Sequence, residues 1–137
     1  MAFTDNAKNA IINELTGQTG TAFNYDSIYM GLFDNDGNEL TSASCPGYAR
    51  KLIGNPNQSD TRVFGTASGG TVTNTKDIMF DRATAAWTGV TVKSAGLFTA
   101  ATGGTQLTLD NLTTPLTNIV QDMIVVIPAG QCTISFN

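Results

Sequence analysis

Asp34, Asp36 and Glu39 place three carboxylates within one short stretch, the densest set of potential metal ligands in this chain. A calcium loop of the EF-hand type needs oxygens at alternating positions, Gly at the sixth and a bidentate Glu at the twelfth. Counted from Asp34, Gly37 is the fourth residue and no Glu stands twelfth. D-N-D-G-N at 34–38 therefore reads as a hairpin turn whose Asp-Gly pair supplies the positive φ. An adventitious cation is the remaining use.

The rest of the reactive inventory is thin. The chain has no histidine, which removes Ser-His-Asp and Cys-His nucleophilic systems in their usual form and His-based zinc sites. A two-carboxylate glycosidase needs acids facing one another across a cleft, but the acids here fall in turns or singly on strands. Gly69-Gly70 and Gly103-Gly104 lack the frame of a phosphate-cradling loop. Cys45 and Cys132 form no C-x-x-C, so no zinc ribbon or redox dithiol is expected. Cys132 alternates with Ile134 and Phe136, as a small apolar core residue does; a Cys45–Cys132 disulfide stays open. No catalytic residue, metal ligand or cofactor site is expected, and the chain reads as a non-enzyme.

The elements that would position such groups are β-rich. The 137 residues suit a single domain spanning 1–137 that buries about two-thirds of its unfolded surface. Charged residues make up 13% of the chain, about half the usual share. Thr, Gly, Asn and Ala fill the deficit, and Thr favours strands because its branched Cβ fits a pleated surface. Such a surface suits a protein that contacts neighbours over much of its area. The net charge of −4, with seven scattered Lys and Arg, offers no basic patch for phosphates; no nucleic-acid partner is expected. M-A-F-T-D-N lacks the basic and apolar regions of a secretory signal. No run approaches the roughly 18 apolar residues of a membrane span, so no membrane insertion is expected and the protein is expected to be made in a cytoplasm.

Residues 4–16 read as a helix, with Thr4 as its cap, Asp5 in the first turn and Gly17 ending it. Ala7, Ala10, Ile11 and Leu15 recur at helical spacing, and Phe3 stands just before the cap. The helix lies on a sheet edge or reaches a neighbouring subunit. Strands are expected at 27–33, 48–53, 77–80, 90–99, 106–110, 120–127 and 131–136, with a short one near 62–64. In 90–99, Val90 and Val92 share one phase while Ala95 and Leu97 share the other, so Ser94 or Gly96 marks a bulge. Residues 54–74 read as a long polar loop. Strands at this spacing predict a mainly β fold, an antiparallel β-sandwich or jelly-roll-like barrel with one short N-terminal helix. Trp87, the single tryptophan, reads as a core or subunit-contact anchor before it reads as a sugar platform.

Several motifs occur in a characteristic order: I-Y-M-G-L-F, then G-Y-A-R (Gly47–Arg50), then F-x-x-A-T-A-x-W (Phe80–Trp87). V-x-S-A-G-L-F-x-A-A-T-G-G (Val92–Gly104), L-T-T-P-L (Leu112–Leu116) and a closing strand after Pro-Ala-Gly follow. Over nearly its whole length the chain resembles a family of short tailed-bacteriophage virion proteins usually labelled tail-fibre-like. The resemblance implies a non-enzymatic structural protein of the virion, a small accessory component on the particle surface. It would decorate or cement a capsid, or associate with a tail or fibre. Its partners would be copies of itself, as a homo-oligomer with a trimer favoured, and a major capsid or tail protein. Candidate contact residues are Phe3, Ile11, Leu15, Arg50 and Trp87; Arg50 can equally form an ion pair within the chain. The alternative is an adsorption module of the tail that binds host surface glycan, with Trp87, Tyr25, Tyr29 or Tyr48 as stacking surfaces and 54–74 as a lip.

Overall fold

A computed structural model of the chain describes residues 1–16 and 27–135. Gly17, Tyr25 and Phe136, each given a role above, lie outside the described residues. The order is β1 (Ala2–Phe3), α1 (Asp5–Leu15), β2 (Ile28–Phe33), β3 (Lys51–Gly54), a 3-10 turn (Ser59–Thr61), β4 (Thr71–Thr73), β5 (Ile78–Met79), β6 (Val92–Phe98), β7 (Thr108–Leu116), β8 (Val126–Ile127) and β9 (Thr133–Ser135). The mainly β, antiparallel fold with one short N-terminal helix is as expected, and the described strands close no barrel.

Five strands form one sheet in the order β1-β7-β6-β2-β3, and two ribbons, β4–β9 and β5–β8, accompany it. Alternation along β2 sends Met30 and Leu32 to one face, where they meet Ile53 of β3 and Val92, Ala95 and Leu97 of β6. Ile78, Phe80, Trp87, Ile119, Val125 and Cys132, from the ribbons and the segments around them, complete this buried cluster. The ribbons thus cover one face of the main sheet, as in a sandwich. Val92 and Ala95 are both buried despite being out of phase; the β6–β7 register shifts between Val92 and Ser94, but the extra residues fall on β7 rather than at Ser94 or Gly96 of β6, where the phase change placed a bulge.

The opposite face of β2 and β6 carries Phe33 and Phe98, stacked with ring centroids 5.9 Å apart. Gly31 lies between them and the chain beyond. A Cβ there would stand 2.8 Å from Phe98 Cε2 and 3.0 Å from Glu39 Oε1, so the close approach of both groups requires glycine.

Helix α1 keeps its expected cap: Thr4 Oγ1 accepts the Ala7 N–H at 3.2 Å. Phe3 lies in β1, opposite Thr108. Ala7 is buried and Ile11 half-buried, but the apolar stripe does not continue inward, since Leu15 is 82% exposed.

Two strands are shorter than the pattern predicts. The expected strand 120–127 is reduced to Val126–Ile127 because Asn118 (φ 57°) and Asp122 (φ 71°) leave the extended region. That stretch instead runs irregularly beside 80–87, with Phe80, Ala83 and Trp87 N–H donating to the carbonyls of Val125, Met123 and Ile119. Residues 48–50 precede β3 rather than belonging to it. The polar segment 54–74 is less a loop than expected: it carries the 3-10 turn and β4. Near 62–64 there is an isolated bridge, Phe64 to Asn74, in place of a strand.

Candidate functional site

The main polar constellation is centred on Arg50, at the end of the G-Y-A-R motif. Its side chain is 8% exposed. Nε and Nη2 donate to Glu39 Oε1 and Oε2, each at 2.8 Å, a bidentate fork-on-carboxylate pair. Nη1 donates to the carbonyls of Ala100 (2.8 Å) and Gly103 (2.7 Å). The guanidinium carbon stands 3.5 Å from the centre of the Phe98 ring, a cation–π contact. Four of the five guanidinium N–H bonds are thereby used. One side chain ties Glu39, the A-A-T-G-G loop and the back face of the main sheet together.

Tyr48 extends the network inward. Its hydroxyl donates to Glu39 Oε1 at 3.0 Å and accepts the Leu32 N–H at 3.0 Å. Burial works to raise the Glu39 pKa, but the hydrogen bonds from Arg50 and Tyr48 and the charge of Arg50 win and hold it below the usual carboxylate value. Burial pushes the Tyr48 phenol far up, and its bond to Leu32 only partly opposes this. The hydrogen bond to Glu39 raises Arg50 against the opposing effect of burial. The carboxylate is thus fixed as an anion and the phenol as a neutral donor, the reverse of what proton transfer near neutrality asks of a pair.

The G-Y-A-R and A-T-A-x-W motifs dock on each other directly. Gly47 has φ +92°, and a Cβ there would fall onto the Arg82 carbonyl oxygen and lie 2.9 Å from the Thr84 nitrogen. Only glycine permits both the conformation and the approach. Pro46 O accepts the Thr84 N–H and the Trp87 Nε1–H, each at 3.0 Å. Trp87 is 2% exposed and meets Tyr48 edge-on, centroids 6.4 Å apart. Motifs separated along the chain are therefore one packed unit.

The five candidate contact residues divide accordingly. Arg50 and Trp87 belong to this unit and are engaged within the chain. Phe3 is half-buried in β1, Ile11 is half-buried on α1, and Leu15 stands out at the helix tip with Ile12. The structure does not bring the two groups of residues into a single site. Among the possible sugar platforms, Trp87 and Tyr48 have their rings buried, while Tyr29 is half-buried on β2.

Asp34 serves its own turn. Oδ1 accepts the N–H groups of Asp36 and Asn38, both at 2.9 Å, and Gly37 takes φ +84°, the geometry of a side-chain-capped hairpin. Among the described residues no three His, Cys, Asp or Glu converge as metal ligands. Cys45 and Cys132 are both free and buried, and burial raises both thiols, so neither is a ready thiolate. Cys132 packs as the small apolar residue its alternation predicts.

Asn74, inside the supposed loop, was not singled out by its sequence context. It is 2% exposed. Nδ2 donates to the Lys76 and Pro128 carbonyls (2.9 and 3.0 Å) and Oδ1 accepts the Cys132 N–H (2.9 Å). Its neighbour Thr73 pairs with Thr133 across the β4–β9 ribbon, hydroxyl to hydroxyl at 3.1 Å. The alternating T-V-T-N pattern at 71–74 was the available signal.

The open surface features lie elsewhere. A groove of about 390 Å³ runs between β7 and residues 125–133. Beside it Ile124, Val126 and Met79 are exposed apolar side chains, Met79 directly opposite Val126 in the β5–β8 ribbon. A second groove of about 380 Å³ lies between Ile53–Pro56 and Phe64–Ala67.

The family model described as Podophage GP4 fiber I protein gp80 matches residues 2–135. No curated protein matches the chain. With nearly its whole length matched, the chain belongs to this podophage fibre I family and is a structural protein of the phage fibre type.

Proposed function

We propose that this member of the podophage fibre I family is a non-enzymatic accessory protein of the particle surface, acting as one unit over residues 1–137. It assembles with copies of itself, three being the expected number, and anchors on a larger capsid or tail protein. The observation that carries this reading is the family match across residues 2–135. Two features of the chain support it. The charged side chains that could do chemistry, Glu39 and Arg50, are spent on each other and on backbone carbonyls. Large apolar side chains stand exposed at the helix tip (Ile12 and Leu15), along residues 120–126 and the facing Met79 (Val120, Met123, Ile124 and Val126), and at Leu109 of β7. Exposed apolar patches on otherwise polar domains mark contact surfaces.

On this reading Leu15 and Ile12 meet a neighbouring subunit, with Phe3 and Ile11 holding the helix base in place. Arg50 and Trp87 act from inside by holding the outer surface in shape. The test is to delete the gene from the parent phage, add the purified protein back and image both particles by cryo-electron microscopy. Density for this chain that disappears on deletion and returns on addition supports the reading, and its position tells head from tail. Particles of unchanged composition, with a protein that stays monomeric and fails to bind them, overturn it.

A further inference from the structure

Two exposed stripes, one on the helix and one on a ribbon, carry complementary patterns. On α1, Lys8, Ile12 and Leu15 stand at i, i+4 and i+7 and so share one side of the helix. That side differs from the one that buries Ala7: Ile12 is 56% and Leu15 82% exposed. Among the described residues Lys8 pairs only with Asp5, at 3.7 Å and with both side chains largely exposed, a contact that contributes little. The helical stripe thus begins with a cation and ends in two apolar side chains.

The second stripe lies on the β5–β8 ribbon. Met79 faces Val126, and the Phe80 N–H continues the pairing to the Val125 carbonyl at 3.0 Å. Alternation turns Ile78, Phe80 and Val125 inward and leaves Met79, Asp81, Ile124 and Val126 outward. Asp81 has no ion-pair partner among the described residues. Its neighbour Arg82 stands 3.9 Å from Asp122, with both side chains largely exposed. This stripe begins with an anion and ends in apolar side chains.

The two stripes match in length and in order. Lys8 to Leu15 covers about 10 Å of helix axis at about 1.5 Å per residue. Asp81 to Met79 covers about 7 Å of strand at about 3.3 Å per residue. A stripe meeting its own kind across a twofold axis fits less well. With the two stripes parallel, Asp81 meets Asp81, or Lys8 meets Lys8. With them antiparallel, each charge falls on the apolar end of the other copy. Helix against ribbon instead sets Lys8 beside Asp81, and Ile12 and Leu15 on Ile124, Val126 and Met79.

We propose that the Lys8–Leu15 stripe of one copy docks on the β5–β8 stripe of the next. A second copy supplies both halves of the match without any further component. The contact is head-to-tail, because it joins two different patches of the same chain, and it closes into a ring where the rotation between copies allows. This deepens the self-assembly proposed above and rests on it, naming the faces that meet.

The experiment is disulfide trapping in the purified protein with Leu15→Cys and Val126→Cys, singly and together. Both positions are exposed, and the native Cys45 and Cys132 are buried. Mild oxidation should convert the double variant into covalent oligomers on a non-reducing gel and leave each single variant monomeric. Lys8→Glu and Asp81→Lys should each loosen the oligomer by about tenfold in sedimentation, and the two together should restore it. Cross-linking of Leu15→Cys alone means helix on helix, and of Val126→Cys alone ribbon on ribbon; either overturns the proposal. A disulfide that closes within a single copy overturns it too. A parent protein that forms oligomers while the double variant stays uncross-linked overturns this contact and spares self-assembly. A parent protein that stays monomeric at every concentration overturns both, and leaves the stripes to a different virion polypeptide.

Discussion

The surroundings of Arg50 and the bulge of β7 are built from the same kinds of motif residue and end in opposite states. Around Arg50 the charged groups and nearby carbonyls find partners within the chain. Along Leu112–Pro115 the register leaves four residues with no ladder partner among the described residues. Thr113, Thr114 and Pro115 are exposed, so water satisfies their backbone groups at little cost. The difference separates two uses of sequence: one region spends its hydrogen bonds on holding its own shape, the other leaves part of a strand out of register with its neighbour.

Mutations should therefore cost more stability in the first region than in the second. The largest loss is expected from Trp87→Ala, which empties a buried aromatic site and removes one of the two hydrogen bonds to the Pro46 carbonyl. It should cost about 4 kcal/mol in urea denaturation; a loss under about 1 kcal/mol would mean that the ring is not a core anchor. Asn74→Ala leaves two carbonyls and the Cys132 N–H unpaired and should cost about 3 kcal/mol. Arg50→Ala strands the Glu39 carboxylate and frees the 99–104 loop, for about 2–3 kcal/mol. Lysine should restore less than half of that, because it cannot form the fork.

Acid sharpens the same contrast. The folded-state pKa of Glu39 lies below its ordinary value, so the unfolded chain takes up that proton first as pH falls. The stabilisation from Glu39 is complete above the unfolded value of 4.5 and is lost as pH drops through the lower folded value. Thermal melts from pH 6 to pH 3 should therefore fall more steeply for the parent protein than for Glu39→Gln. Equal slopes would remove the ion pair from the account. The smallest stability effect belongs to Thr113→Ala and Thr114→Ala, both on the exposed bulge, at within about 0.5 kcal/mol. A loss several times larger would show that the bulge already has a structural partner.

How far the sequence reached differs between these regions. The turn at 34–38 was legible because Asp-Gly chemistry is local. The register shift beside β6 was only partly legible: the phase change between Val92 and Ala95 marked the place, but the extra residues lie on the partner strand β7. Arg50 was legible as a residue of interest, with an internal ion pair as one of its two readings, but its partner Glu39 was read as part of a carboxylate cluster with Asp34 and Asp36. Those acids are near in sequence, whereas Arg50 is near in space. Strand 120–127 was overextended because Val and Ile enrichment gives no warning of positive φ at Asn118 and Asp122. Asn74 was passed over because its partners, Pro128 and Cys132, lie more than fifty residues away.

By itself the sequence determined the β-rich class, the capped helix, the free cysteines' apolar character and the family, since each depends on composition, short-range periodicity or a run of motifs. Tertiary structure alone decided that G-Y-A-R, A-T-A-x-W and A-A-T-G-G are parts of one interior unit. It also decided that four residues of L-T-T-P-L stand opposite the single Lys93 of β6. Pairing across a sheet is fixed by register and by which face is buried, and these are set by contacts between residues distant in the chain.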